Sequence, residues 1–447
     1  MKKMTMLLLA VFSAVFLRAQ DFFPGADPQP YPPFADSWKA DPMMVTGNYR
    51  MYRMDTPAPT PAPAGFKPFY ISTYGRHGAR FFGRNDLYDT LARLLDAGAQ
   101  NDALTADGQE FYRRFQAVYA LARGRGGDLT QRGVAQQQAL ARKMLRDYPA
   151  VFKKRKVVDA RSTTVPRCIL SMTAFCDALG TADPSLEIRQ DASAADMYYL
   201  KPNSKYNPKV RPDEVDSKMD VGEGRWLEPW QEMWRQTARP QAFFARLFKD
   251  PSFVEAFGDP VHLERECFYL MADTPCVSGE IDFREFFDSG EAARLWELEN
   301  WRFYQVSGPG RTYNDRNWAY AEVLLDQIVR SAGEDMADGR TAARLRFGHD
   351  YMLVNLLTLL NLDGWNVVTE DFSHIKEVFR FSELPMATNL KLIFYRNRAG
   401  EVLVRAALND REVRLHIDGA EGPYYRWEDF EAFCRRRITL ARQILER

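Results

Sequence analysis

The chain is poor in the residues that build metal centres and disulfide scaffolds. Its 447 residues include five histidines and five cysteines, Cys168, Cys176, Cys267, Cys276 and Cys434. No CxxC occurs, so neither a redox dithiol nor a zinc knuckle is suggested. Net charge is missing as well: sixty basic residues cancel sixty acidic ones. No global field therefore draws the protein to nucleic acid or to a membrane surface. Beyond the first twenty residues no apolar run reaches membrane-spanning length, and no internal repeat is found. Any taste for anions must be local.

What is present starts with an export signal. Lys2 and Lys3 precede an apolar stretch over 6–17, and small residues follow near Ala19. Twelve apolar residues fall short of the roughly 20 that span a bilayer. The expectation is a secretory peptide over 1–19, cleaved on the way to a periplasmic location, with no membrane insertion afterwards. In such a compartment an odd cysteine count leaves at least one thiol unpaired. Cys267 and Cys276 are the most plausible pair, because Pro275 lies between them. Cys168 and Cys176 fall about two turns apart on one expected helix, too far for a bridge.

Residues 20–65 read as an N-terminal arm that ends in the alternating proline tract TPAPTPAP (56–63), an extended segment. Strand and helix then alternate: FKPFYIST (66–73) as a strand, a helix over 87–97, and a helix after Thr130 as N-cap. KVVDARST (156–163) reads as a strand, and the buried helix that follows is entered through Pro166. Such alternation predicts an α/β fold, a mostly parallel sheet flanked by helices, over 66–190 and 331–447. Between them, over 191–330, strand signals thin out and RWLEPWQEMWRQ and NWAYAEVLLDQIVRSAG take helical spacing, the pattern of a large helical insertion or cap. NLKLIFYRN and VLVRAAL resemble a hairpin around residues 398–400.

The chemistry concentrates in STYGRHGARFFG (72–83), at the end of the first strand. In an α/β sheet, loops leaving the C-terminal ends of strands are where ligands bind. Guanidinium forks suit a phosphate or sulfate, and Gly75 and Gly78 let the backbone approach one closely. His77, between Arg76 and Arg80, should stay neutral and keep an imidazole nitrogen free for attack on phosphorus. RSTTVPRC brings Arg161 and Arg167 to a second strand end, and FGHDYML brings His349 and Asp350 to a third. A carboxylic acid there can protonate the leaving oxygen of a phosphate ester.

Arg76-His77-Gly78-Ala79-Arg80, with Arg167 and His349-Asp350 downstream, resembles the histidine acid phosphatases, a branch of the histidine phosphatase superfamily. LTQRGVAQ (129–136), RSTTVPR (161–167) and PMATNLKLIFYR (385–396) are similar to further family segments in the expected order, and the likeness runs over roughly 66–410. Bacterial enzymes similar to multiple inositol polyphosphate phosphatase look closest. The resemblance implies the histidine phosphatase fold and hydrolysis of a small phosphorylated substrate, with no cofactor and no metal. It implies His77 as nucleophile, Asp350 as proton donor, and Arg76, Arg80, Arg167 and His349 as phosphate-binding residues. Two departures stand out: Phe82 where the family commonly has proline, and His349-Asp350 where inositol polyphosphatases usually carry His-Ala-Glu. The substrate stays open between phytate and other small phosphomonoesters such as sugar phosphates, and a catalytically inactive phosphate- or glycan-binding protein is the further alternative. The oligomeric state is open too. Trp226, Trp230 and Trp234 read as core, Arg161 as structural, and His262, His374 and His416 as isolated structural residues. Lys201, Lys205, Lys209 and Arg211 could line a polyanion pocket or a solvated loop.

Overall fold

β1 (Lys67–Arg76) begins just after the proline tract and lies inside an eight-stranded sheet. The computed structural model describes residues 23–202, 205–207, 209, 224–313 and 316–446; the expected secretory peptide and Arg211 lie outside them. β2 (Val157–Ser162), β3 (Glu187–Asp191), β4 (Thr341–Gly348), β5 (Asn389–Arg396), β6 (Val402–Leu408), β7 (Arg411–Glu412) and β8 (Tyr425–Arg426) complete the sheet. The order is β3-β2-β4-β1-β5-β6-β7, with β8 on β6. β1 to β4 pair in parallel. β5 runs antiparallel to β1 and turns back into β6 as the expected hairpin. The α/β sheet flanked by helices is the architecture read from the strand–helix alternation.

Both faces of the sheet are covered, as helical crossovers between parallel strands require. Tyr70 and Tyr74 of β1 belong to one buried cluster with Leu392, Phe394 and the apolar side of the helix Trp427–Leu445. Ile71, between them, belongs to the other, with Val158, Leu345 and residues of the helices Gln131–Asp147 and Pro166–Ala182. This is the two-residue alternation of a strand. Thr130 caps its helix as expected, its Oγ1 accepting from Gly133 N at 3.1 Å, and Pro166 takes the first helical position. The Trp226-Trp230-Trp234 series is buried, each ring edge-on to the next.

A helical layer covers the ends of the strands. Helices Asn85–Gln100 and Ala106–Ala122 meet helices from the 227–306 stretch, with Phe111 edge-on to Phe283 and Phe286 at 4.8 and 5.0 Å. Two expectations change here. Cys267 and Cys276 are both free and buried, because the helix Pro260–Val277 continues through Pro275. Nine residues of helix separate their Cα atoms by roughly 13 Å, about twice the reach of a disulfide. The stretch before β1 is also more than an arm. Helix Phe34–Ala40 and the 3₁₀ turns of Pro42–Tyr49 are folded in, with residues 44–49 buried. Residues 51–63 lack regular structure, and Thr60 ties them to Glu412 and Tyr424. No helix among the described residues is long and apolar enough to cross a membrane.

Candidate active site

β1 and β4 are parallel neighbours in register, with Arg76 opposite Gly348. The residues that follow each strand must therefore emerge side by side. His77 N donates to Gly348 O at 3.1 Å, and the His77 and His349 rings lie 5.8 Å apart. Asp350 opens the apolar helix Asp350–Leu359, so its carboxylate sits at the positive end of a helix dipole.

The loop after β1 is clamped from below by the helix that starts after Thr130. Gln136 Oε1 accepts from Ala79 N at 2.8 Å, and Gln137 Nε2 donates to Arg76 O at 3.3 Å. Gly78 and Gly133 face one another with no room for a side chain. A Cβ on Gly78 would stand 2.5 Å from Gly133 O, and one on Gly133 would stand 2.2 Å from Ala79 O. The glycines here let two backbones touch. Phe82, the residue that departs from the family pattern, is buried and sandwiched between Tyr49 (6.0 Å, 26°) and Tyr269 (5.3 Å, 28°). Its amide donates to Tyr88 Oη, which in turn donates to Asp273.

His77, Arg80, Arg167, His349 and Asp350 all line one cavity of about 180 Å³. His77 Nδ1 lies 2.8 Å from Gly78 O. A carbonyl only accepts, so Nδ1 carries the proton and Nε2 keeps its lone pair. Burial, followed by the charges of Arg167, Arg76 and Arg80, holds His77 well below the ordinary imidazole range. Burial and Arg167 do the same to His349, whose Nε2 is 3.4 Å from Thr163 Oγ1. Both rings are neutral.

The three arginines divide the work. Arg167 Nε and Arg80 Nε are buried without a hydrogen-bond partner among the described residues, and Arg80 is steadied by the Tyr49 ring 5.3 Å away. Arg76 is absent from the cavity lining. It lies fully buried behind it, with Nη2 2.8 Å from Asp350 Oδ2 and Nη1 donating to Asn48 O and Leu384 O. Asn48 Nδ2 reaches the same Asp350 oxygen at 2.7 Å. Burial pushes the Asp350 carboxyl upwards, but Arg76, Arg80 and the Tyr351 amide outweigh it and hold the group below the usual carboxylate range. Asp350 is thus a carboxylate, and around the cavity positive charge exceeds negative.

Sequence reasoning missed the residues that complete the lining. Asn48 and Tyr49 come from the segment before β1, Phe268 and Tyr269 from the helix Pro260–Val277, and Glu299, Arg302, Phe303 and Val306 from the helix Ser289–Val306. None belongs to a motif. Arg161 stays outside the cavity, held by Asp159 and Asp191 at 2.7 and 2.6 Å. His416 pairs with Asp363 at 2.7 Å and His262 contacts Glu266, also away from it.

A family profile described as Histidine phosphatase superfamily (branch 2) matches residues 75–417, which contain this whole arrangement apart from Asn48 and its neighbours. The chain belongs to that branch. As a histidine-type phosphatase it shares its fold with a multiple inositol polyphosphate phosphatase from Bifidobacterium longum, solved in complex with inositol hexasulfate. That pair has a TM-score of 0.66 at 15% identity, over 86% of this chain and 96% of the other. The phytase from D. castellii gives 0.67 at 12% identity, over 89% and 85%. An apo phytase of Hafnia alvei gives 0.52 at 14%, over 85% and 99%. A search of curated proteins found no match.

Proposed function

We propose that this phosphatase is an exported phosphomonoester hydrolase working through a phosphohistidine on His77. The observation that carries the reading is the His77 tautomer: Nδ1 is spent on Gly78 O, while Arg80, Arg167 and Asp350 line the same cavity. The phosphoryl oxygens accept from Arg80 and Arg167, whose Nε atoms are free of other partners among the described residues, with Arg76 adding charge from behind and His349 a hydrogen bond. His77 Nε2 forms a bond to phosphorus as the ester P–O bond breaks. The leaving alkoxide needs a proton, and Asp350 is the acid in reach.

The arginines hold Asp350 in its carboxylate form, so its proton arrives with the substrate. A phosphate monoanion brings one, and once its charge offsets the arginines the carboxyl pKa rises and the proton passes to Asp350. In the second half, water attacks phosphorus and gives its proton to Asp350, the N–P bond breaks, and phosphate leaves. The neutral His77 suits acidic conditions, because the ring stays unprotonated where a free imidazole would be charged.

Export rests on the 1–19 segment, and N-terminal sequencing of protein from the periplasmic fraction tests it. Inositol phosphates are the class suggested by the neighbours' names; sugar and other small phosphomonoesters are the other. The non-catalytic binding reading has no observation in its favour, since nucleophile and acid are both present. The test of mechanism is trapping: brief reaction with a radiolabelled aryl phosphate and an alkaline quench should leave acid-labile label on the His77 peptide. Steady turnover with no label on that peptide would overturn the mechanism.

A further inference from the structure

The lining of the cavity falls into two chemically different groups. Side chains from the ends of β1 and β4 and from the helix Pro166–Ala182 bind phosphate. Much of the rest is apolar, Phe268, Ala272, Phe303, Val306 and Phe381 with Tyr269 among them, while Thr46, Asn48, Ser307 and the pair Glu299 and Arg302 complete the lining. Phe303 stacks on Phe381 at 5.1 Å and 21°, so the apolar surface is a built one.

The charges confirm the asymmetry. Arg302 is the one further cation in the lining described, and Glu299 binds its Nε and Nη2 at 3.0 and 2.8 Å. Glu299 also accepts from Tyr269 Oη at 2.9 Å. Arg302 and Glu299 therefore neutralise each other. Counting Arg76 behind Asp350, with Lys201 acting on His349 and Asp273 on Arg80, five cations face three carboxylates among the described residues, which leaves two positive charges. That matches a single phosphate of about −1.5 to −2. A hexakisphosphate carries on the order of −10 near neutral pH. Lys209 points elsewhere, its nearest carboxylate being Glu322 at 4.0 Å, and Lys205 lies over the Tyr206 ring.

We infer that the substrate is a singly phosphorylated ester of an apolar or aromatic alcohol, its phosphate on Arg80 and Arg167 and its alcohol part against Phe268, Phe303, Val306 and Phe381. This deepens the phosphohistidine reading and rests on it.

The test compares kcat/KM of the full chain for 2-phenylethyl phosphate, 2-hydroxyethyl phosphate and myo-inositol hexakisphosphate. The first two have similar leaving groups, so their ratio reads the apolar contact rather than the chemistry. The phenylethyl ester should lead the hydroxyethyl ester by about 30-fold, as expected for burying one ring, and should lead the hexakisphosphate as well. In Phe303→Ala that ratio should fall by about fivefold or more; a ratio taken within one preparation does not depend on the folded fraction. Equal rates for the two small esters, a lead for the hexakisphosphate, or a preference untouched by Phe303→Ala overturns this inference and leaves the phosphohistidine reading standing. Failure to hydrolyse any of the three overturns both.

Discussion

The two walls of the cavity were built by different means. The phosphate wall comes from short contiguous motifs at strand ends, where parallel pairing of β1 and β4 brings His77, His349 and Asp350 together. The apolar wall comes from two helices, the segment before β1 and the turn at Phe381, with no motif in any of them. Backbone geometry positions the first wall; packing of whole elements positions the second. In the reading proposed above, chemistry common to the superfamily stays in place while the second wall selects the alcohol part of the substrate. Phe82 joins the two, since it ends the phosphate loop and stacks between Tyr49 and Tyr269.

The largest effects should come from the phosphate wall. His77→Ala should remove turnover of every substrate, by about 10³-fold or more, in steady-state assays; residual activity near wild type would break the comparison at its root. Asp350→Asn should slow alkyl esters by about 10²–10³-fold while slowing 4-nitrophenyl phosphate far less, because nitrophenolate leaves without a proton. Equal slowing of both would remove Asp350 from the acid role.

The joint between the walls comes next. Phe82→Ala should cost about 3–5 kcal/mol in denaturant unfolding. Phe82→Pro should cost more, because it also deletes the amide that donates to Tyr88 Oη. An unchanged midpoint in both variants would mean that the walls are independent.

The smallest effects are in pH. In the proposed mechanism the proton enters with a phosphate monoanion, whose remaining proton leaves near pH 6. Above that, kcat/KM should fall about tenfold per unit. Stability runs the other way. His77 and His349 are depressed in the folded state, whereas unfolded histidine titrates near pH 6.5. Below that pH the unfolded chain binds the protons, so stability falls as pH drops, by up to about 1.4 kcal/mol per histidine per unit. Urea midpoints at pH 7 and 5 measure the slope, and His349→Gln should flatten it; a slope unchanged in that variant would count against a neutral buried His349.

Much of this was legible in the sequence. The strand–helix alternation, the Thr130 cap, Pro166 at its helix start and the β5–β6 hairpin are local features, set by periodicity, capping and turn chemistry. The crowding of arginines around His77 already pointed to a missing anion. Other features were out of reach. Cys267 and Cys276 looked bridgeable across Pro275, yet the helix continues through it, held by its burial among neighbours. The segment before β1 looked like an arm, yet Asn48 and Tyr49 reach the cavity.

By itself the sequence determined which candidate groups stand at three strand ends, two histidines, an aspartate and arginines, because each depends on a few adjacent residues and on which strand end they leave. Only the tertiary structure decided that Arg76 backs Asp350 while Arg80 and Arg167 face the cavity, that Phe82 bridges two tyrosines, and that Phe303 and Phe381 shape the space beyond the phosphate. Those outcomes depend on contacts between residues tens to hundreds of positions apart, which no local pattern encodes.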